Sequence, residues 1–389
     1  MRIFYSSDTS PNSSFESNIW RNNLLLPLID LGHEVIEFQC SNLRKTFQNL
    51  NPAYKDQKEF IKKNRPKISA ALLEQIKKAH NHAPIDLFFS AYFDACITPE
   101  AIETIKSMGI KTINWYPNAS YQLNLVSNIS PHYDHCLVPE KFRIQDYKKL
   151  GARPIYCQEA ANPNIYIPYD LTKEFDVTFV GQAYGDRPDY IKFLLDNNID
   201  VRVWGINWEL FTNEHKTQNN FLSKIKKLLT KQGLKSIPSK ISYRFSRMFY
   251  PAQHMKFSKT ILPNNIIGPI LSDSELIKLY SKSKINLGFS TCGNTHKEKN
   301  RITQIRLRDF EVPMCGGFYM VEYMEELKEF FEIDKEIVCY HNKQDLLDKI
   351  NFYLKNDTLR DKIRRAGRIR CLRDHTWQKR FASVFSRIM

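Results

Sequence analysis

No apolar run long enough to span a bilayer is found: the densest near the start, residues 24–29, falls far short of the roughly 18–20 residues a spanning helix needs. The first ten residues lack a basic segment followed by a long apolar one, so no secretory signal is expected. Cysteine pairs are missing as well. Cys40, Cys96, Cys136, Cys157, Cys292, Cys315, Cys339 and Cys371 are scattered with no Cys-x-x-Cys, which reads as reduced thiols in a cytoplasmic protein. There is no Gly-x-Gly-x-x-Gly, no Walker sequence, no Asp-x-Asp doublet and no Cys/His cluster, so no resident metal or cofactor is expected.

What is present is an ordinary globular composition, 42% hydrophobic and 25% charged over 389 residues. That length predicts two or three domains, and together with the composition it excludes a disordered chain or a small disulfide scaffold. The 57 Lys+Arg against 42 Asp+Glu leave a net charge of +15, which calls for a polyanionic partner. The excess is local. Residues 1–170 carry only +2, whereas residues 214–260 hold eleven basic side chains and one acidic, or +10. A uniformly basic nucleic-acid binder is therefore not expected.

The chain alternates strand and helix. Residues 2–6 read as a strand, 15–31 as a helix ending at Gly32, and 34–40 as a second strand, which together make a βαβ unit. The apolar run 86–91 suits a strand buried on both faces. Thr98-Pro99-Glu100 opens a helix that ends at Gly109. Strands follow at 111–115, 135–138 and 154–157, with a helix over 139–150. A second series begins with the strand 176–181 and helix 188–197. It continues with strands at 201–205 and 266–268, the helix 272–281 and the strand 284–289. A helix over 308–314, a strand at 318–321 and helices at 343–354 and 359–371 complete it. The expected fold is α/β: two tandem Rossmann-like, doubly wound domains with an interdomain cleft and a basic helical insertion in the second. Their spans are 1–165 and 166–370, the insertion being 214–260. A C-terminal helix over 371–389 is expected to pack back on the first domain.

Ligands of open parallel sheets bind beyond the carboxyl ends of the strands. Two segments of the second domain fall there. In Gly181-Gln182-Ala183-Tyr184-Gly185-Asp186-Arg187, glycine lets the backbone approach an anion, the next helix offers N–H donors, and Arg187 can pair with phosphate. A plain strand-to-helix turn is an equal reading. In the segment 306–317, Glu311 lies on a short helix ending at Gly316-Gly317 and can accept hydrogen bonds from vicinal hydroxyls, while Arg306 and Arg308 suit a diphosphate. The rival is a surface ion pair between Glu311 and Arg308.

Arg308-x-Phe310-Glu311 followed by Cys315-Gly316-Gly317 resembles the donor-site signature of glycosyltransferases with two Rossmann-like domains, the GT-B architecture. The nearest likeness is to the spore-maturation, CgeB-type, glycosyltransferase family. The strand Asp176-Val177-Thr178-Phe179-Val180-Gly181 with Arg187, Lys335-Glu336-Ile337-Val338, His375-Thr376-Trp377 with Arg380, and Asn114-Trp115-Tyr116-Pro117-Asn118 fit the same likeness.

The resemblance implies that Glu311 binds the ribose of a nucleotide-sugar donor. It places Gly181, Arg187, Arg306, Arg308, Gly316 and Gly317 about the rest of the donor, and Ile267 with Gly268 at the base. Thr303 stands where related retaining enzymes carry a first glutamate, and Asn118 where relatives often carry aspartate, so neither usual marker of stereochemical course is present. For catalysis, arginine can stabilise the departing diphosphate, which makes Arg308 a catalytic candidate. Asp8 and Asp94, at strand ends of the first domain, are candidate bases; a helix cap and a solvated loop residue are their respective rival roles.

In the basic segment, Phe221, Leu222, Ile225, Leu228 and Leu229 share a helical face with Lys224, Lys226, Lys227 and Lys231 around the other, and Arg244 and Arg247 repeat the pattern. An interfacial element on anionic lipid, a polyanionic acceptor, a partner protein and simple packing on the parent domain are its four readings. The expected function is transfer of a sugar from a nucleotide donor to a glycan, glycolipid or protein, by a cytoplasmic enzyme peripheral to the membrane. The alternatives are a nucleotide-sugar epimerase and a non-catalytic adaptor.

Overall fold

The computed structural model describes residues 1–7, 18–39, 58–213, 260–299 and 301–388. Asp8, and Lys224, Lys226, Lys227, Lys231, Arg244 and Arg247 of the basic segment, lie outside the described residues.

Two all-parallel sheets carry the chain. The first has strands β1 (Arg2–Ser7), β2 (Glu34–Glu37), β3 (Leu87–Ala91), β4 (Lys111–Trp115), β5 (His135–Val138) and β6 (Pro154–Tyr156), ordered β2-β1-β3-β4-β5-β6. The second has β7 (Phe175–Val180), β8 (Val201–Trp204), β9 (Ser283–Gly288), β10 (Tyr319–Glu322) and β11 (Val338–Tyr340), ordered β11-β10-β9-β7-β8. Each is a Rossmann-like unit with helices on both faces.

The continuous apolar runs have a simple origin. In β1, Ile3 and Tyr5 enter the core on one face of the first sheet and Phe4 that on the other. Leu87, Phe88 and Phe89 of β3 alternate in register beside them. With both faces buried, period two no longer separates polar from apolar.

Local signals set the helix ends. Thr98 accepts from Ala101 N at 3.3 Å to open the helix Pro99–Ser107. Ser272 and Glu275 form a reciprocal capping box for Asp273–Lys282.

The structure differs from the sequence expectation in several places. The helix expected over 15–31 is described only from residue 19, with a π-helical turn Arg21–Leu25 running into Leu26–Asp30. Pro27 has no N–H for the carbonyl four residues back, and a widened turn accommodates the lost bond. Residues 139–150 divide into a 3-10 turn Lys141–Arg143 and the helix Ile144–Lys149. Residues 266–268 contribute a single bridge, Ile267 to Val203, after a 3-10 turn Asn264–Ile266. The helix Lys58–His82 was not anticipated: Pro66 lies inside it, and its fully buried stripe is only Ile68, Leu72 and Ile76, one residue per turn.

After the second sheet the chain returns. A bridge joins Thr376 to Ala161, and the helix Trp377–Ile388 lays Trp377, Phe381, Val384, Phe385 and Ile388 on one face of the first sheet beside Leu24, Leu25 and Leu28. The Trp115 indole meets Trp20 and Trp377 edge-on at 5.1 and 5.3 Å. The carboxyl ends of both sheets thereby face a common seam.

Candidate active site

Beyond β7 the chain turns tightly. Gly181 N donates to Trp204 O and Trp208 Nε1 to Gly181 O, both at 2.8 Å. A Cβ at Gly181 would lie 2.6 Å from the Phe179 ring, so close packing alone demands glycine there. The turn delivers Arg187, first residue of the helix Arg187–Asp196, back under its own loop. Its guanidinium donates to Gln182 O at 2.8 Å and Tyr184 Oη at 2.6 Å, and lies 3.8 Å over the Tyr184 ring. Arg187 is 5% exposed, and its buried Nε has no partner.

Two more arginines converge on that place. Arg306 holds the end of β9, donating from Nε to Phe289 O at 3.0 Å and from Nη2 to Thr291 O at 2.9 Å. Asp309 accepts from Arg306 N at 2.8 Å and from Tyr319 Oη at 2.6 Å, while burial pushes its carboxyl up to about 6. Arg308, one residue inside the helix Leu307–Met314, has a buried Nε without a partner. Burial first, and the Arg306 and Arg308 charges with it, push the Arg187 guanidinium down to about 10. Against burial, the neighbouring tyrosines and carboxyls hold Arg306 and Arg308 above the ordinary value, so all three remain cationic at neutral pH.

Glu311 sits in the same helix and is 1% exposed, which removes the surface ion-pair reading. Its Oε2 accepts from Tyr280 Oη at 3.4 Å, and Oε1 is buried without a partner. Burial raises its carboxyl against the pull of Arg308 and the Tyr166 and Tyr280 hydroxyls. Tyr166 in turn accepts from Asn23 Nδ2, at 2.9 Å, out of the π-helical turn of the first domain. Glu311 therefore lies at the seam between domains.

Gly316 ends the helix at φ +68°, and a Cβ on Gly317 would lie 2.9 Å from both Asn286 Nδ2 and Val312 Cγ1. Gly268 N donates to Val203 O at 2.8 Å, and the Trp204 indole fills the space a side chain would need. Packing accounts for these glycines in the described structure.

In the first domain, Asp94 follows β3 with its partners all local: Asn128 N donates to Oδ2 at 3.4 Å, and Arg65 is nearby. Burial pushes its carboxyl up to about 6. None of these contacts reaches the arginines. The seam instead gathers residues that sequence reading passed over. Glu140, at the end of β5, accepts from Ser120 N at 3.0 Å; Ser120 Oγ donates across the seam to Gln304 and lies 3.7 Å from Cys292 Sγ. Glu159, beyond β6, is buried near Arg306. Glu322, at the end of β10, accepts from the N–H groups of Ser290 and Thr291, each at 3.0 Å, and pairs with Arg301. The available signal was positional: each acid stands at or just beyond the carboxyl end of a strand.

The His375-Thr376-Trp377 and Arg380 group serves the crossing between domains. His375 Nε2 bonds Phe330 O at 2.7 Å, and Arg380 donates to Gln158 O at 3.2 Å. Among the described residues no helix is long and apolar enough to cross a membrane, and no three His, Cys, Asp or Glu side chains are grouped to hold a metal ion.

Two parallel Rossmann-like sheets meeting at their carboxyl ends define the GT-B architecture of glycosyltransferases. The chain belongs to the glycosyl transferase-like family, which it matches over residues 187–386, just over half its length. Solved structures bear out the fold. The chain is similar to a sucrose-phosphate synthase (tll1590) from Thermosynechococcus elongatus at 10% identity and TM-score 0.57, covering 100% of this chain and 99% of that one. Anabaena Alr3699/HepE, solved with UDP and glucose, gives 11% and 0.54, with 100% and 99% covered. A glycosyltransferase from Rickettsia africae ESF-5 gives 11% and 0.53, with 100% and 98% covered. No curated protein matches by sequence.

Proposed function

We propose that this glycosyltransferase takes its sugar from a nucleoside-diphosphate donor seated in the second domain, and passes it to a glycan, glycolipid or protein acceptor on the first-domain side. The observation that carries the reading is the convergence of Arg187, Arg306 and Arg308, with two buried Nε–H donors left unpartnered. Buried donors ordinarily find partners, and like charges gathered out of water call for an anion. A diphosphate supplies both the charge and the acceptors. The unpartnered Glu311 Oε1 supplies an acceptor for a ribose hydroxyl, while Ile267 and Gly268, beside β8, mark the base end. Membership of the CgeB-type branch rests on the residues quoted above for it. Metal-independent turnover belongs to the same proposal, as does contact of residues 214–260 with an anionic surface, supported by their charge.

A thermal-shift screen with UDP, GDP, dTDP, CDP and CMP tests the donor. At a hundredfold excess over its dissociation constant, the cognate diphosphate is expected to add about 2.7 kcal/mol of stability. If none of the five shifts the transition, the donor reading fails.

A further inference from the structure

We propose that Glu140 is the general base that takes the acceptor's proton, which makes transfer a single inverting displacement. The inference rests on the donor reading above. The acceptor oxygen forms a bond to the anomeric carbon as the bond from that carbon to the diphosphate oxygen breaks. The electron pair leaves with the diphosphate, and the acceptor's proton passes to Glu140 Oε2.

Geometry carries the assignment. Glu140 follows β5 on the first-domain side and is 4% exposed. Ser120 N holds Oε1 at 3.0 Å, while Oε2 is buried with no partner. One carboxylate oxygen is thus fixed and the other buried and unpartnered, a pattern that Asp94 shares through Oδ2 and Oδ1, so the connection to the arginines distinguishes Glu140. From Ser120, contacts cross to the donor arginines: Ser120 Oγ to Cys292 Sγ at 3.7 Å, then Cys292 Sγ to Arg306 Nη2 at 3.7 Å. Asp94 has no such connection among its contacts.

The surroundings suit the task. Burial raises the carboxyl to about 8, and Glu326, from beyond β10, adds to the rise; the Ser120 N–H and Arg143 oppose it. Among the described residues, Glu159, Cys292 and Tyr147 also face it. The folded protein therefore keeps this proton up to about pH 8, whereas an unfolded glutamate releases it near 4.5. Stability from this group is full below the lower value and falls as pH rises through the upper one. Arg143 also holds the Ser120 carbonyl, at 3.1 Å from Nε, so simple anchoring of that loop is the competing role.

The test follows release of UDP from UDP-glucose with water as acceptor, or from the glucose derivative of whichever nucleotide the screen selects. For the wild type, kcat/KM should rise with pH to a plateau above about 8. Glu140→Gln should lower kcat on the order of 10²–10⁴-fold and abolish the rise. Its nucleotide affinity should be unchanged and its thermal stability no lower at pH 8. A loop anchor would instead leave the pH profile in place. A second reading needs no variant: proton NMR of freshly released glucose should show the inverted β anomer.

If no nucleotide binds the wild type, the donor reading itself has failed. If nucleotide binds and Glu140→Gln keeps its rate and pH rise, the Glu140 assignment alone falls. A retained α anomer overturns it too, as does nucleotide binding without turnover at any pH.

Discussion

Arg308→Ala is expected to lower kcat on the order of 10²–10³-fold, the loss typical of removing one donor aimed at developing negative charge. The Arg308 Nε is buried and unpartnered beside Glu311, in the first turn of the helix Leu307–Met314. In the donor a diphosphate shares its charge with the sugar bond, and in the transition state that charge grows on the leaving oxygen. An interaction strengthening along that path acts on turnover more than on ground-state affinity. Steady-state kinetics beside nucleotide titration separates the two. Equal losses in donor affinity and in kcat/KM, with kcat untouched, would reduce Arg308 to a binding residue.

Phe381→Ala is expected to cost about 3–5 kcal/mol of stability. The ring is fully buried, edge-on to Phe89 at 5.5 Å and stacked on Phe385 at 5.8 Å. Phe381 belongs to the last helix described, yet its partners include Phe89 of β3, 292 residues earlier. The helix Trp377–Ile388 closes one face of the first sheet, so the loss falls on that domain although the second domain precedes the helix in sequence. Denaturant unfolding followed by tryptophan fluorescence reads it, because Trp115 and Trp377 lie in the same cluster. A loss under about 1 kcal/mol, the range of surface substitutions, would mean that the helix is only loosely docked.

The two-domain fold was legible because strand, helix and glycine punctuation recur with little interruption. Gly32, Gly109 and Gly151 each end a helical segment at positive φ. The three-residue β11 is shorter than a sequence pattern can register, and Lys58–His82 hides behind an internal proline. In the second domain, Arg187, Arg306, Arg308 and Glu311 stand out by type and position, and the folded chain buries all four near one another. The first domain was harder to read. Glu140 follows a proline after a short strand, and nothing in that pattern distinguishes it from an exposed acid. Its character comes from Ser120 and Glu326, 20 and 186 residues away in the sequence, brought together only by folding. Asp94, legible as a strand-end acid, finds its partners within its own domain.

The most direct measurement is calorimetric titration of the wild type and Arg187→Met with UDP and UMP, or with the diphosphate and monophosphate of whichever base the screen selects. Methionine fills the cage of Phe179, Tyr184 and Phe289 without the charge, which keeps a change of packing from standing in for a change of contact. The wild type should bind the diphosphate more tightly than the monophosphate. The variant should lose about 1.5–3 kcal/mol of diphosphate affinity, roughly ten- to hundredfold, with a smaller loss for the monophosphate. A wild type indifferent to both nucleotides, or a variant that binds the diphosphate as tightly as the wild type, would contradict a donor site built on these arginines.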